Sequence, residues 1–414
     1  MKSQIAVIFL ALALVCSPLH SQKLKYTSDL TGVYEKPSKH GFMGYKLLPK
    51  NARHYFEDMD FIPMGSYMRG TANEYFKAEG YDSTLILSEE AAKVSLDAYF
   101  ISNHEVTNAE YREFIIWVRE KTAHDLSPME AQDTSKLFFQ LNLEGEEINI
   151  PVYPDTACWI QDFALSYNEP LSKFYFWHPA YDNYPVVGVS YYQAMAYCRW
   201  KSDRLNEEIL IANKILNARS FSFTTFEYVT GSEEGMENVY LIYPEFRLPT
   251  EAEWEWAAKG GIDGSKKTNE ELAYPWKSAD SDRKSKLYEA NFGNIIDRNG
   301  VLIKGYEDDG AMNTSEIKTY KANDYGLYDM LGNVAEWVLE DFPIGHYSID
   351  RNLTRKNDPM KIVKGGSWRD GPVYLDLNVK SVYHGKKQHS WIGFRLIMPY
   401  DNNNYMVSRY IIPK

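Results

Sequence analysis

Cysteine, clustered histidine and long apolar runs are all scarce in this 414-residue chain, and each scarcity excludes something. The cysteines are Cys16, Cys158 and Cys198, and none has a partner at CxxC or CxxH spacing, so zinc-finger and thioredoxin-like motifs are excluded. The nine histidines form no HxH, HxxxH or HxxxHxE motif, so a facial triad for iron would need residues distant in sequence. His384 and His389 flank a basic loop (Lys386, Lys387) that reads as surface. Basic charge is also short: 45 Lys and Arg against 57 Asp and Glu leave a net −12. An acidic chain lacks the positive face that nucleic-acid phosphates demand, and anionic lipid would repel it. No repeat at solenoid or propeller period is present.

The one long apolar run, 5–15, follows Lys2 and is too short to cross a bilayer. It suits a signal peptide spanning 1–21, with cleavage after the small residue Ser21. Losing that segment, which holds Lys2 and no acid, takes the charge to −13. Cys16 offers a rival, lipid attachment, although Val15 is larger than the residue that usually precedes a lipoprotein cysteine. After export, Cys158 and Cys198 have an oxidising compartment in which to pair, but nothing in the sequence brings them together. Cys198 lies on the apolar face of an expected helix, which favours a buried thiol. The polar stretch 22–57 reads as an N-terminal arm. Aromatics at 15 % of the chain point to a rigid globule and away from disorder.

Three capping boxes mark helix starts: Thr107 with Glu110, Ser190 with Gln193, and Thr250 with Glu253. Behind the first, Tyr111, Phe114, Ile115 and Val118 recur at helical spacing. A separate helix is expected over 203–218 from Leu205, Ile209, Ala212 and Leu216. Strands are expected at 184–189 and 361–364. Short strands and long loops together indicate an irregular α+β domain. Such a fold leaves many backbone groups outside ladders, where side chains and bound ions must satisfy them.

The run Asp329-Met330-Leu331-Gly332-Asn333-Val334-Ala335-Glu336-Trp337 sets two carboxylates seven residues apart around a Gly-Asn turn. Hard cations such as calcium take carboxylate and carbonyl oxygens. Asp329 and Glu336, with the carbonyls of Gly332 and Val334, form one candidate set; solvated acids beside a turn are the alternative. The run also has company. Phe61-Ile62-Pro63-Met64-Gly65-Ser66, His104-Glu105-Val106-Thr107-Asn108, Phe246-Arg247-Leu248-Pro249-Thr250-Glu251-Ala252-Glu253-Trp254, Tyr274-Pro275-Trp276, Gly365-Gly366-Ser367-Trp368 and Ile392-Gly393-Phe394-Arg395 follow in order. In series they resemble the formylglycine-generating-enzyme (sulfatase-modifying factor) family, whose fold is related to C-type lectins.

That resemblance implies a domain over 58–400, insertions near 119–183 and 201–245, and a tail at 401–414. It implies calcium at the first set and at a second set, Asn291, Phe292, Asp309 and Ala311. The family enzyme holds copper between two thiols, and soft thiolates suit Cu(I). Those positions here hold Asp370 and Leu375, so no catalytic residue and no copper are expected. Arg247 and Arg395 are expected in structural ion pairs. An oxidase with an unusual metal site around Ser367, Asp370 and Tyr374 is the alternative. Phrases in and beside the insertions, such as Tyr153-Pro154-Asp155-Thr156 and Tyr175-Phe176-Trp177-His178-Pro179, are similar to the gliding-motility lipoproteins K and J of type IX secretion. This likeness implies a non-catalytic periplasmic component at the inner face of the outer membrane. Its expected partners are other proteins of that machinery, a homo- or hetero-oligomeric ring being one arrangement, with membrane contact only through a lipid on Cys16. Trp159, Phe176 and Trp177 are the candidate partner-binding residues.

Overall fold

Helix starts are set by the hydroxyl caps. Thr107 begins α1 (Asn108–Asp125), accepting from the Glu110 amide while Glu110 returns to the Thr107 amide. Short helices α2 (Cys158–Gln161) and α3 (Glu169–Phe174) follow. Ser190 and Gln193 exchange bonds of 2.8 and 3.2 Å at the start of α4 (Tyr191–Ala212), and Thr250 with Glu253 caps α5 (Glu251–Ala258). The computed structural model describes residues 50–69, 92–143, 145–162, 169–212, 216–224, 245–260, 290–296, 302–342 and 360–400. These all belong to one unit, 37–262 with 271–414. The expected signal peptide, Cys16, most of the arm, residues 225–244, the Tyr274-Pro275-Trp276 phrase and the tail lie outside the described residues.

Thirteen short strands are described: β1 (Met59–Ile62), β2 (Gly65–Arg69), β3 (Ala92–Leu96), β4 (Tyr99–Ser102), β5 (Phe138–Leu143), β6 (Glu146–Pro151), β7 (Ile295–Ile296), β8 (Leu302–Lys304), β9 (Ala335–Asp341), β10 (Met360–Lys364), β11 (Ser381–His384), β12 (Ile392–Gly393) and β13 (Ile397–Pro399). One antiparallel sheet runs β1-β4-β13, so strands from both ends of the domain flank β4. A second runs β11-β10-β9-β12, its β9–β12 pair parallel, and three hairpins complete the set. Side chains alternate across a strand, and both sheets use this to serve two cores. Phe100, Met398, Trp337 and Val363 enter one cluster with α1 and α4; Ile101, Ile397, Val338 and Ile362 enter the other with α5. Among the described residues no helix is long and apolar enough to cross a membrane. Cys158 and Cys198 are both buried free thiols.

Three expectations need correction. The helices expected from 190 and over 203–218 are one, α4, 22 residues long and ending at Ala212. No Gly or Pro interrupts 191–212, and the charged residues of its second half are paired inside, as in Arg204–Glu207 at 2.9 Å. Residues 184–189 form no strand, only a bridge between Thr107 and Pro185; Pro185 has no amide to donate, and Gly188 turns left-handed at φ +70°. Trp159 and Phe176, expected at a partner surface, are core residues with 1 % and 3 % exposure. The insertion folds inward over α1, stacking Trp159 on Trp368 at 6.0 Å and setting Phe176 against Tyr111. Trp177 does reach the surface, at 37 % exposure.

This division is measurable. Trp159→Ala should cost about 3–5 kcal/mol of stability, the usual loss for a buried aromatic, and Trp177→Ala about 1 kcal/mol. Urea unfolding of both variants would reveal equal losses if the insertion were a surface appendage.

Candidate functional site

The 329–337 run winds tightly because three of its residues are left-handed: Asp329 at φ 53°, Gly332 at 81° and Asn333 at 58°. Asp and Asn tolerate that region better than other side chains. Gly332 has no substitute, since a Cβ there would stand 2.2 Å from the carbonyl oxygen of Asn291. Asn333 then locks the turn. Its amide donates to Asn291 O at 2.8 Å, its Nδ2 donates to Glu105 Oε1 at 3.1 Å, and its Oδ1 accepts from the Ser315 amide at 2.8 Å. The two loops for which calcium is expected are therefore neighbours, joined through Asn333. From sequence Asn333 registered only as a turn former; the left-handed Gly-Asn pair was the available signal.

Glu336 is fully buried at the start of β9. Its carboxylate accepts from Arg395 Nε and Nη2, each at 2.7 Å, and from Trp254 Nε1 at 2.8 Å. Arg395 is thus structural, as expected, and also donates to the carbonyls of Ser102 and Tyr328. A carboxylate offers about four acceptor positions, so three donors leave room for one more bond. Asp329 Oδ2 accepts from the Lys318 amide at 2.9 Å, while its buried Oδ1 has no hydrogen-bond partner. Burial pushes the Asp329 carboxyl up to about 6, with Glu336 adding to the rise and the Lys318 amide and Arg395 opposing it. Glu105 Oε2 is likewise buried without a partner, and burial, reinforced by Asp329, raises its carboxyl well above the usual range. Three buried carboxyls thus face one guanidinium. The donor set is hard oxygen throughout, which fits a cation of the calcium type.

The second set also comes together. Asp309 Oδ2 accepts from the Phe292 amide at 2.9 Å and its Oδ1 from the Ala311 amide at 3.3 Å. Asn291 spends its Nδ2 on Asn313 O at 2.7 Å, and its buried Oδ1 has no partner. Asn291 Oδ1, Asp309 and the carbonyls of Phe292 and Ala311 are the atoms that would hold an ion here.

At the positions of the family thiols the chemistry is different. Ser367 Oγ donates to Asp370 Oδ2 at 2.6 Å, and Arg369 stands 3.9 Å from Asp370 Oδ1. Burial raises the Asp370 carboxyl and the Ser367 bond opposes it. Leu375 is 1 % exposed and packs into the second core with Val373, Leu377 and Val379. Tyr374 is partly buried beside it. The acidic residues at the start of α5 do more than cap it. Glu255 bonds Lys364 Nζ at 2.9 Å and Tyr67 OH at 2.7 Å, while Glu251 pairs with Lys380 at 3.3 Å and with Arg69.

These loops and this mixed α+β architecture define a class. The chain belongs to the sulfatase-modifying factor family, whose enzyme 1-like domain matches residues 44–399. Among relatives, it is 25 % identical to the formylglycine-generating enzyme of Mycobacterium tuberculosis, covering 81 % of this chain and 96 % of that one. It is 24 % identical to the inactive C-alpha-formylglycine-generating enzyme 2 of Bos taurus, covering 75 % of each. Against the Bos taurus formylglycine-generating enzyme it is 22 % identical over 74 % of this chain, and spans 64 % of that protein's length. Among solved structures it is similar to PvdO from Pseudomonas aeruginosa, with a TM-score of 0.45, 18 % identity and coverage of 83 % and 94 %.

The Glu336–Arg395 pair should behave as a buried ion pair. Arg395→Met should cost about 3–5 kcal/mol, because it strands a buried carboxylate. Adding Glu336→Leu should recover part of that loss, an interaction a double-mutant cycle in denaturant would read directly. Strict additivity would mean the two groups are not coupled.

Proposed function

We propose that this protein is a non-catalytic assembly component of type IX secretion and gliding machinery, built on a formylglycine-generating-enzyme-like domain. The observation that carries the reading is the pair Asp370 and Leu375. Copper needs two soft ligands; here one position offers an oxygen bonded to Ser367 and the other a buried hydrocarbon. Relatives named as inactive support a family that keeps the fold without the chemistry. The secretion role rests on the likeness of the insertion phrases to the gliding lipoproteins. The 1–21 signal supports export to the periplasm, and the lipoprotein likeness supports a place at the inner face of the outer membrane, with a lipid on Cys16 as the tether to test. With Trp159 and Phe176 inside, the partner surface of the insertion moves to its exposed apolar residues Ile160, Phe174 and Trp177.

The test has two arms. A cysteine-containing sulfatase peptide incubated with the protein, with or without copper, should stay unconverted by mass spectrometry. Pull-down from periplasmic extract should recover secretion components, and Phe174→Ser/Trp177→Ser should weaken that recovery. Peptide turnover dependent on the protein would overturn the non-catalytic reading; equal recovery by the folded variant would move the interface elsewhere.

Calcium is the cofactor we propose, in a structural role at both oxygen-lined loops. Ligand at about 100 times its Kd adds about 2.7 kcal/mol per site, so excess chelator should lower the melting temperature. Asp309→Asn should blunt that sensitivity. It is a better probe than Glu336→Ala, which would also strand Arg395. A melting curve indifferent to chelator would count against a structural ion.

A further inference from the structure

Beside the first calcium loop, joined to it through Lys318, the start of β1, the end of β4 and the first turn of α1 meet around a small cavity. Asp58, His104 and Glu110 each point a ligand atom into one group, the three atoms lying within 4.8 Å of one another. These residues also line a cavity of about 10 Å³, together with His54 and Lys201 among others. That volume holds a single water or ion.

The orientation of His104 is fixed. Its Nδ1 sits 2.8 Å from the carbonyl oxygen of Glu105. A carbonyl only accepts, so Nδ1 carries the proton and Nε2 of the neutral ring presents its lone pair. This backbone bond to one ring nitrogen is how metal-binding histidines are usually oriented. The ring is 4 % exposed, and Nε2 stands 3.7 Å from Asp58 Oδ2, too far for a good hydrogen bond. Two ligands on a tetrahedral zinc ion, each about 2.1 Å from the metal, lie about 3.4 Å apart. The carboxylates keep an atom available. Lys318 binds Asp58 through Oδ1 at 3.2 Å, leaving Oδ2 towards His104. Glu110 caps α1 through Oε2, with bonds of 2.8 and 2.9 Å to Thr107, leaving Oε1 outside the cap. Lys201, the other cation of the cavity, lies 5.4 Å from the Phe246 ring and 6.0 Å from that of Tyr197, whose faces attract its charge.

We propose that Asp58, His104 and Glu110 form a transition-metal site, taking a dication of the zinc or cobalt class with one position left for water or for His54. One imidazole with two carboxylates and an open position suits such an ion better than calcium, which takes oxygen alone in six to eight contacts. Its ligand residues differ from those proposed for calcium and from the family thiol positions.

Cobalt(II) provides the test, because its visible absorption reports coordination. The full chain, stripped of transition metals and kept in calcium, should bind one equivalent of cobalt with a saturable visible band that zinc displaces. Glu110→Gln keeps the capping box, since Gln serves at that position too, so the variant should stay folded and bind at least about tenfold more weakly. His104→Gln should lose the band. Absence of a saturable band in the unaltered protein would show that His104 and Asp58 form only an ion pair. Unchanged binding by Glu110→Gln would equally overturn the assignment, whether or not His104→Gln folds.

Discussion

The buried pair of Glu336 and Arg395 is the constraint around which the domain is arranged. One guanidinium reaches Glu336 in β9, the carbonyl of Ser102 at the end of β4 and that of Tyr328 in the loop before the Gly-Asn turn. Trp254 of α5 adds its indole N–H to the same carboxylate. Segments separated by up to 293 residues thus meet on one ion pair. A pair removed from water loses hydration that attraction alone scarcely restores; the additional bonds to carbonyls and indole make this one tolerable. Its geometry also selects one register for β9 against the C-terminal strands, because a shift of one residue would turn Glu336 to the other face.

Why a fold should place so much charge inside follows from its shortage of ladders. Many of its strands hold two to five residues, and loops carry much of the backbone. Loop amides and carbonyls need partners, and side chains supply them: Asn333 Oδ1 accepts from the Ser315 amide, Asp329 Oδ2 from the Lys318 amide and Asp309 Oδ2 from the Phe292 amide. Among the described residues, the buried side-chain atoms without a hydrogen bond include Asp329 Oδ1, Glu105 Oε2 and Asn291 Oδ1. All three are oxygens, and all belong to the neighbourhood of Asn333. Cations bound at the two loops would satisfy them.

Local signals were legible in the chain and long-range ones were not. The three capping boxes, the apolar face of α1, the buried thiol of Cys198 and the structural role of Arg395 all follow from spacing or residue type. The partner of Arg395 did not, because 59 residues separate it from Glu336 and no rule of spacing links them. The span of α4 reads in sequence as two helices, yet Asp203, Arg204, Glu207 and Glu208, which lie where the second was expected to begin, fall within one helix, buried and ion-paired. Trp159 and Phe176 were misplaced for the opposite reason: aromatic clusters suit cores and interfaces equally, and only the packing decides. His104 belonged to no histidine motif because its companions, Asp58 and Glu110, come from 46 residues earlier and from the next helix.

The loop after the Gly-Gly-Ser phrase shows what Asp370 and Leu375 do physically. A reactive thiolate needs partial exposure and an electropositive surrounding. Here Asp370 closes a hydrogen-bonded turn with Ser367, and its own carbonyl receives the Gly293 amide at 2.8 Å, tying the loop to the Asn291 segment. Leu375 adds its side chain to a core already holding Val373, Leu377 and Val379. Both replacements favour rigidity: one satisfies polar groups, the other removes a polar atom from an apolar wall. The loop is thus held by polar satisfaction on one side and apolar packing on the other.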